Sequence, residues 1–234
     1  MRRVGQAVRM LLALLATLLA LLLIYECWIF GHIVWWRSHN PETTAFMQAR
    51  VDEMREKDPK AGLTQRWVPY DKISMNLKRA LIVSEDDTFI DHEGFNWEAI
   101  EKALEKNQKK GKVVAGGSTI SQQLAKNLFL SGSRSWLRKG EEAVITLMLE
   151  SVLDKERIFE IYLNVIEWGE GVFGAEAAAQ HYFGVSAARL SPEQAAKLAA
   201  MVPRPRFYDR NRNAPWLLKK TAIILARMRN AEVP

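Results

Sequence analysis

The chain has 234 residues, of which 48% are hydrophobic and 26% charged, so it is not a largely disordered protein and fits one ordinary domain plus an anchor. The formal net charge of +6 is typical of a protein with an anionic partner, and composition leaves open nucleic acid, acidic lipid or a phosphorylated substrate. The one cysteine, Cys27, excludes an internal disulfide, and no Cys/His cluster has the spacing of a zinc site.

The N-terminal region has the pattern of a membrane anchor. Arg2, Arg3 and Arg9 precede a leucine-rich run that starts at Met10, and Glu26 is its only charged residue. About 20 apolar residues cross roughly 30 Å of hydrocarbon, so we predict a transmembrane helix over residues 10–30. The arginines place the tail, residues 1–9, in the cytoplasm. A cleaved signal is the alternative, but bulky aromatic residues follow the run instead of small ones.

The rest of the chain divides into a polar connecting segment, residues 31–66, which can hold a short helix, and a globular domain, residues 67–234. Helical periodicity dominates the domain and strand-like alternation is scarce, so we predict a mainly α fold. A helical stripe leads into Glu85, Asp154 and Ser191 are predicted N-caps, and the glycines at 169–174 mark a turn region. The later predicted helices cover 97–110, 119–129, 137–153, 155–166, 175–183, 192–201 and 217–229.

The first candidate site is the stretch 85–94, EDDTFIDHEG. Continued helical register would place Glu85, Phe89 and His92 on one face. A carboxyl group beside an apolar ring can have a raised pKa, which suits a general base. The alternative is a solvated acidic turn at residues 85–87.

The second candidate site is the stretch 116–127, GGSTISQQLAKN. Two glycines before a helix leave backbone N–H groups free to face an anion, and two hydroxyl groups follow them. The order of residues in a nucleotide P-loop is absent. We expect a polar, substrate-facing helix, and the alternative is an ordinary capped helix. The side chains concerned are Ser118, Thr119, Gln122, Gln123 and Lys126.

The third candidate site is the stretch 134–142, which is rich in cations. Arg138 and Glu142 are four residues apart and could simply pair on a helix surface, a contact of little energetic weight. The functional interpretation is a cationic group that neutralises a pyrophosphate, with Glu142 as a second acid. A fourth stretch, residues 155–164, has one apolar and one polar face and is expected to be structural.

These stretches, in this order, resemble glycosyltransferase family 51, the peptidoglycan glycosyltransferases. The likeness runs from about residue 67 to 229 and includes the Tyr-Leu-Asn segment at 162–164 and the alanine-rich block at 190–199 with Pro203. It is nearest to the monofunctional members of Gram-negative bacteria, because the Ser-x-x-Lys and Lys-Thr-Gly motifs of a transpeptidase are absent. The resemblance implies a lysozyme-like, mainly helical fold.

The resemblance also implies a reaction. The substrate would be lipid II: the growing lipid-linked strand is the donor and the 4-hydroxyl group of an incoming lipid II sugar is the acceptor. Glu85 matches the catalytic base, which deprotonates that hydroxyl group, and undecaprenyl pyrophosphate leaves with inversion from α to β. Asp86, Phe89 and His92 match residues that hold Glu85. Ser118, Thr119, Gln123 and Asn127 match residues of the cleft, and Lys126, Arg134, Arg138 and Lys139 match residues around the pyrophosphate.

Glu142 matches the second glutamate of the family, which assists at the pyrophosphate or holds a divalent ion there, Mg or Mn. No tightly bound cofactor and no nucleic-acid partner are expected. The protein would be a single-pass protein of the inner membrane with a periplasmic catalytic domain that helps to build the wall and shape of the cell. Its partners would be lipid II, the growing strand, the membrane and proteins of cell-wall synthesis or division. The basic C-terminal stretch, which includes Lys219 and Lys220, is expected either to lie against acidic headgroups or to be merely solvated.

Two rival functions remain open from the sequence. A membrane-bound lysozyme-like hydrolase would share the fold and the paired acids but does not require the cationic cluster. A non-catalytic scaffold for wall synthesis would need neither. The glycosyltransferase hypothesis predicts that Glu85 and Glu142 face one cleft without a direct hydrogen bond, with cations nearer Glu142.

Overall fold

The computed structural model describes residues 2–112, 116–130 and 135–234. These parts are mainly helical, as the periodicity predicted, with three very short strands. The helices are α1 Arg2–Trp35, α2 Ala45–Arg55, α3 Met75–Glu85, α4 Trp97–Lys110, α5 Ile120–Phe129, α6 Trp136–Val152, α7 Lys155–Val165, α8 Ala175–Phe183, α9 Pro192–Met201, α10 Pro205–Arg210 and α11 Pro215–Arg227; the strands are β1 Thr64–Gln65, β2 Glu167–Gly169 and β3 Val172–Phe173.

The anchor helix α1 is longer than predicted and ends inside the folded domain. Its stretch from 8 to 35 is long and apolar enough to cross a membrane. Near its C-terminal end, however, Ile29 and Ile33 are fully buried, and the Trp36 ring lies 5.3 Å from that of Phe129 in α5. The helix therefore serves as part of the domain core over its last two turns.

The segment expected to connect anchor and domain contains a packed helix. Thr44 caps α2 by accepting a hydrogen bond from the Met47 N–H, which satisfies one of the free donors at the helix start. Met47 and Val51 are buried, and α2 packs against α5. Residues 45–55 thus contribute to the core, although their polar composition predicted only a connecting segment.

The core is built around α3, α5, α7, α9 and α11. Alanines of α9 are fully buried, which lets α3 and α11 pack closely on that helix. The strands form one sheet in the order β1–β3–β2, with β1 parallel and β2 antiparallel to β3. Gly174 follows this sheet with φ +79°, and a Cβ there would lie 2.7 Å from the Asn164 carbonyl oxygen. This position therefore requires glycine.

Each of the later predicted helices is present with its ends within two residues of the prediction. Asp154 and Ser191 are N-caps, as their side chains predicted, and Ser191 forms a capping box with Gln194. Helix α10 was not predicted.

Candidate active site

Glu85 is the last residue of α3, and the chain leaves the helix at the next residue. Asp86 takes φ −166° and ψ 79°, so the predicted helical register of Glu85, Phe89 and His92 is wrong. The physical reason is that the Asp86 carboxylate has partners elsewhere: it accepts from the Ile120 N–H at 2.9 Å and lies 3.0 Å from His92 Nε2. These contacts pull the chain out of the helix.

The Glu85 carboxylate is nearly buried and is held from three directions. Its side chain is one-tenth exposed. Ser84 Oγ donates to Oε1 at 2.8 Å, and Gln123 Nε2 donates to Oε2 at 3.2 Å. Lys220 Nζ lies 3.6 Å from Oε1. Burial raises the pKa of Glu85, and the Lys220 charge and the hydrogen bonds only partly oppose it. A carboxyl group with a raised pKa suits a general base.

Residues 86–96 form a loop that is held in place by side chains of α6 and α7. Phe89 is fully buried, with its ring 5.7 Å from that of Phe159. Lys155 Nζ donates to the His92 carbonyl and to Glu150 Oε1, and it lies 4.6 Å from the centre of the Phe89 ring. Asp86, Phe89 and His92 thus belong to the loop that follows Glu85, and their expected role in holding Glu85 stays a prediction. Lys155 and Glu150 also support this loop, and the sequence did not indicate them.

Two adjacent glutamines at the start of α5 have different roles: Gln123 contacts Glu85, whereas Gln122 caps the helix. Thr119 and Gln122 form a capping box, and the Thr119 hydroxyl group donates to the Gly94 carbonyl at 2.7 Å. For Gln122 this favours the interpretation as an ordinary capped helix. Gln123 Oε1 accepts from the Tyr162 hydroxyl group at 2.9 Å, which leaves its amide nitrogen to face Glu85. Tyr162 belongs to the stretch 155–164, which was expected to be structural, yet its hydroxyl group contacts the same glutamine that faces Glu85.

A cleft leads away from Glu85 past Gly117 and Ser118. One cavity of about 160 Å³ is lined by both of these residues together with Glu85. A second cavity, of about 200 Å³, shares Gly117 and Ser118 and reaches Lys139. A Cβ at Gly117 would lie 2.9 Å from the Ile100 Cα, so glycine is needed for the cleft wall to pack against α4.

Glu142 lies on α6 beside the far end of this cleft, with its side chain 5% exposed. Its carboxylate contacts the Lys139 ammonium group and lies 3.5 Å from Arg138 Nη1. Lys139 Nζ is in turn 3.4 Å from Ser118 Oγ. Within the described residues, the partners of Glu142 and of Glu85 are different groups, and no hydrogen bond joins the two carboxylates.

The other predicted site residues are placed as follows. Lys126 and Asn127 lie on α5, half-buried and buried respectively. Arg134 falls outside the described residues. Cations surround Glu142 as expected, but Lys220 beside Glu85 was not predicted. Its signal in the sequence was its spacing: it shares a helical face with the apolar Leu217 and Ile224, three and four residues away.

A larger cavity of about 530 Å³ lies between α2, β2 and α10. Its acids are paired with cations: Arg50 contacts Glu53 at 2.6 Å and Glu167 at 3.2 Å, and Arg206 contacts Glu53 at 2.9 Å. The candidate active site is therefore chosen by the buried, partly compensated carboxylate of Glu85 and not by cavity size.

Comparison with known proteins agrees with this geometry. The family model described as "Transglycosylase" matches residues 52–229. The chain is 63% identical to a "Biosynthetic peptidoglycan transglycosylase" of Chromobacterium violaceum over 97% of this chain and 99% of the relative. Relatives of the same name in Dechloromonas aromatica and Nitrosospira multiformis are 63% and 62% identical, over 97% and 92% of this chain and 98% and 94% of their own lengths. The chain belongs to the transglycosylase family, glycosyltransferase family 51, which its motifs resemble.

Proposed function

We propose that this peptidoglycan glycosyltransferase polymerises lipid II into β-1,4-linked glycan strands and releases undecaprenyl pyrophosphate. The observation that carries the proposal is the division of one cleft between two carboxylates. Glu85 is buried and faces hydrogen-bond donors, whereas Glu142 holds two cations at the other end. Such a pair suits a reaction that removes a proton at one point and releases a phosphate group at another.

The proposed reaction is an inverting displacement. The 4-hydroxyl oxygen of the incoming lipid II sugar forms a bond to the anomeric carbon of the lipid-linked strand. The bond from that carbon to the pyrophosphate oxygen breaks, and the hydroxyl proton passes to the Glu85 carboxylate. The hydrogen bonds from Ser84 and Gln123 orient both oxygens of Glu85 before the reaction begins.

The cationic end of the cleft would stabilise the leaving group. Negative charge develops on the departing pyrophosphate, and cations already fixed in place stabilise such charge most effectively. Lys139 lies beside Ser118 in the cleft wall, and Glu142 holds both Lys139 and Arg138. We assign Glu142 the role of orienting these two cations, while Lys126 and Arg134 are proposed as further pyrophosphate contacts on the family resemblance.

A divalent ion shared between Glu142 and the substrate pyrophosphate stays a prediction, because the described residues around Glu142 do not by themselves form a metal site. The Glu142 carboxylate already contacts two cations. In the described ranges, no group of three or more His, Cys, Asp or Glu side chains is arranged to hold a metal. No step of the proposed reaction is therefore assigned to a divalent ion.

The proposed cellular location of the enzyme rests on helix α1. Helix α1 has the length and composition of a membrane span. The burial of Ile29 and Ile33 against the domain supports an anchor that is retained, because a cleaved signal would not form part of the core. We propose a single-pass protein of the inner membrane, with its N-terminus in the cytoplasm and the domain in the periplasm.

The test is polymerisation of lipid II by the full chain in detergent, with the Glu85→Gln variant beside it. The amide cannot take the hydroxyl proton, so we expect polymer formation to fall by about 10²–10⁴-fold. Glu93→Gln is the matched control, because Glu93 lies in the same loop but is exposed. This control should retain the wild-type rate.

Two outcomes would contradict the proposal. Full polymerising activity of Glu85→Gln would remove Glu85 as the base. If the wild-type chain formed no polymer from lipid II but released soluble fragments from added murein, the hydrolase would be the correct function.

A further inference from the structure

Helix α11 brings a lysine from the C-terminal region to the catalytic glutamate. Lys220 Nζ lies 3.6 Å from Glu85 Oε1, although the two residues are 135 positions apart in the chain. Lys220 shares one face of α11 with Leu217 and Ile224, which are 0% and 2% exposed. That face packs on α3 and α9, so the lysine is directed inward by the same register that buries the two apolar residues.

The neighbouring Lys219 provides an internal comparison. It is exposed, as expected for a residue on the solvent side of α11, whereas the Lys220 side chain is only 20% exposed. The Lys220 ammonium group also lies 5.6 Å from the centre of the Trp216 ring. An acidic headgroup could therefore pair with Lys219, but Lys220 already faces a carboxylate inside the protein.

The other charges near Glu85 are already engaged. Asp86 pairs with His92 at 3.0 Å, and Asp87 pairs with Arg227 at 3.3 Å, where both side chains are more than half exposed. Of the residues that the structure describes, Lys220 alone places a cation within 4.0 Å of a Glu85 oxygen. Ser84, Gln123 and Tyr162 supply neutral groups around the same carboxylate.

We propose that Lys220 is a positioning residue for the transfer reaction: its ammonium group keeps the Glu85 carboxylate ionised and directed along the cleft until the acceptor hydroxyl group arrives. The inference rests on the proposed function of Glu85 as the base. A buried carboxylate without a cation tends to take up a proton, and a protonated Glu85 cannot accept another. Lys220 keeps its own protons throughout, and the hydroxyl proton passes to Glu85 alone.

The experiment compares Lys220→Met, Lys220→Arg and Lys219→Met in the full chain, with kcat and KM for lipid II measured across pH. Methionine keeps the length and apolar stem of lysine but removes the charge. We expect Lys220→Met to lower kcat at neutral pH by about tenfold or more, with little change in KM, and to move the acidic side of its pH profile to higher pH. Activity should return at alkaline pH, where Glu85 ionises without help.

The two other variants decide between a charge effect and a loss of packing. Lys220→Arg keeps the cation and should retain the wild-type pH profile, and Lys219→Met should do so as well. The inference is overturned if Lys220→Met has the wild-type profile, or if its loss of kcat is the same at every pH. Those results would leave the proposed function intact, because that function is tested separately by Glu85→Gln against the wild-type chain.

Discussion

At the residue scale, the Gln123 amide is held between a phenol and a carboxylate. Because the Tyr162 hydroxyl group donates to Oε1, the amide nitrogen must point toward Glu85. The Glu85 side chain therefore has a neutral donor on one oxygen and, on the other, the Ser84 hydroxyl group with Lys220 beside it. The Glu85 carboxylate is oriented by side chains from four separate parts of the chain.

Tyr162→Phe tests this orientation. Loss of one buried hydrogen bond should lower the free energy of unfolding by about 1 kcal/mol, measured by denaturant titration. Loss of the fixed amide should also lower kcat for lipid II several-fold without a matching rise in KM. Tyr182→Phe is the control, since its hydroxyl group donates to the Trp168 carbonyl. It should reduce stability similarly and leave kcat unchanged; equal kcat values for the two variants would refute the role of Tyr162.

The pH dependence of the wild-type enzyme is a second test. As the proposed base, Glu85 would act only when ionised, and burial raises its pKa, so activity should fall as the pH drops through that raised value. The acidic side of the kcat profile should therefore lie above the usual range of a glutamate, about 4.3. Measurement of kcat for lipid II across pH checks this. A profile that stays flat down to the usual range would contradict it.

The motifs at 85–94 and 116–127 predict Glu85 as the base, and this assignment stays a prediction. The partners of its carboxylate, Ser84, Gln123 and Lys220, lie outside the first stretch. Lys220 and Tyr162 were not predicted as site residues. Their contacts to Glu85 and Gln123 are tertiary, and their local patterns indicate only a basic helix and a buried helix face. Gln122 was expected to face substrate because it lies on a polar helix. Its actual part in the capping box depends on the side-chain rotamer, which the sequence does not show.

At the element scale, the loop of residues 86–96 depends on a crowded glycine. Gly94 has φ +88°, and a Cβ there would lie 2.8 Å from Thr146 Cγ2 and 3.2 Å from Glu150 Cγ. Its carbonyl oxygen accepts the hydrogen bond from the Thr119 cap. Movement of this glycine would therefore displace the loop, the start of α5 and α6 together.

Gly94→Ala should lower the free energy of unfolding by more than the roughly 1–2 kcal/mol of a left-handed alanine, because steric overlap is added to the backbone cost. Gly111→Ala is the matched control: its φ is +63°, but no heavy atom lies within 4 Å of its Cβ position. Denaturant unfolding of both variants measures the difference. Equal losses of stability would show that crowding at Gly94 has no effect.

Most helices of the domain were predictable from their apolar periodicity, and some also from a capping side chain, such as Asp154 before α7 and Ser191 before α9. Helices α8 and α11 were predictable without a side-chain cap. The strands were not, since two or three residues are too short to show alternation. The end of α3 was placed too late because the partners of Asp86, the Ile120 N–H and the His92 ring, lie outside the helix. The strands were missed because of their length, whereas the end of α3 was misplaced because a tertiary contact overrides the local pattern.

At the scale of the whole molecule, Arg157 fastens the end of the anchor to the domain. Its Nε donates to the Trp36 carbonyl at 2.8 Å, and its Nη2 donates to the His39 carbonyl and to Asn40 Oδ1. These bonds fix the turn that follows α1 on the surface of α7. The sequence suggested a polar connection here, because nothing local to residues 36–40 indicates a partner that lies about 120 positions later.

Arg157→Met should free this turn. The backbone at Arg37, whose side chain is already exposed, should then open to trypsin more often. We expect cleavage after Arg37 in the detergent-solubilised chain to become several-fold faster, because local opening requires fewer broken hydrogen bonds. Arg189→Met is the control, as Arg189 is exposed and its side chain donates to the nearby Ser186. The rate is read from the appearance of the domain fragment; unchanged cleavage would show that Arg157 does not hold the turn.

This fastened turn affects how the enzyme would meet its substrate. A domain on a flexible linker samples many heights and tilts above a bilayer, and most of its encounters with a membrane-bound substrate are in the wrong orientation for reaction. If α1 spans the membrane as proposed, the fastened turn would hold the cleft at one height and one tilt, and the search for a lipid-linked sugar would be reduced to lateral diffusion in two dimensions. A water-soluble sugar diphosphate gains nothing from that reduction, and the turn at residues 36–40 would thereby discriminate between substrates without touching either.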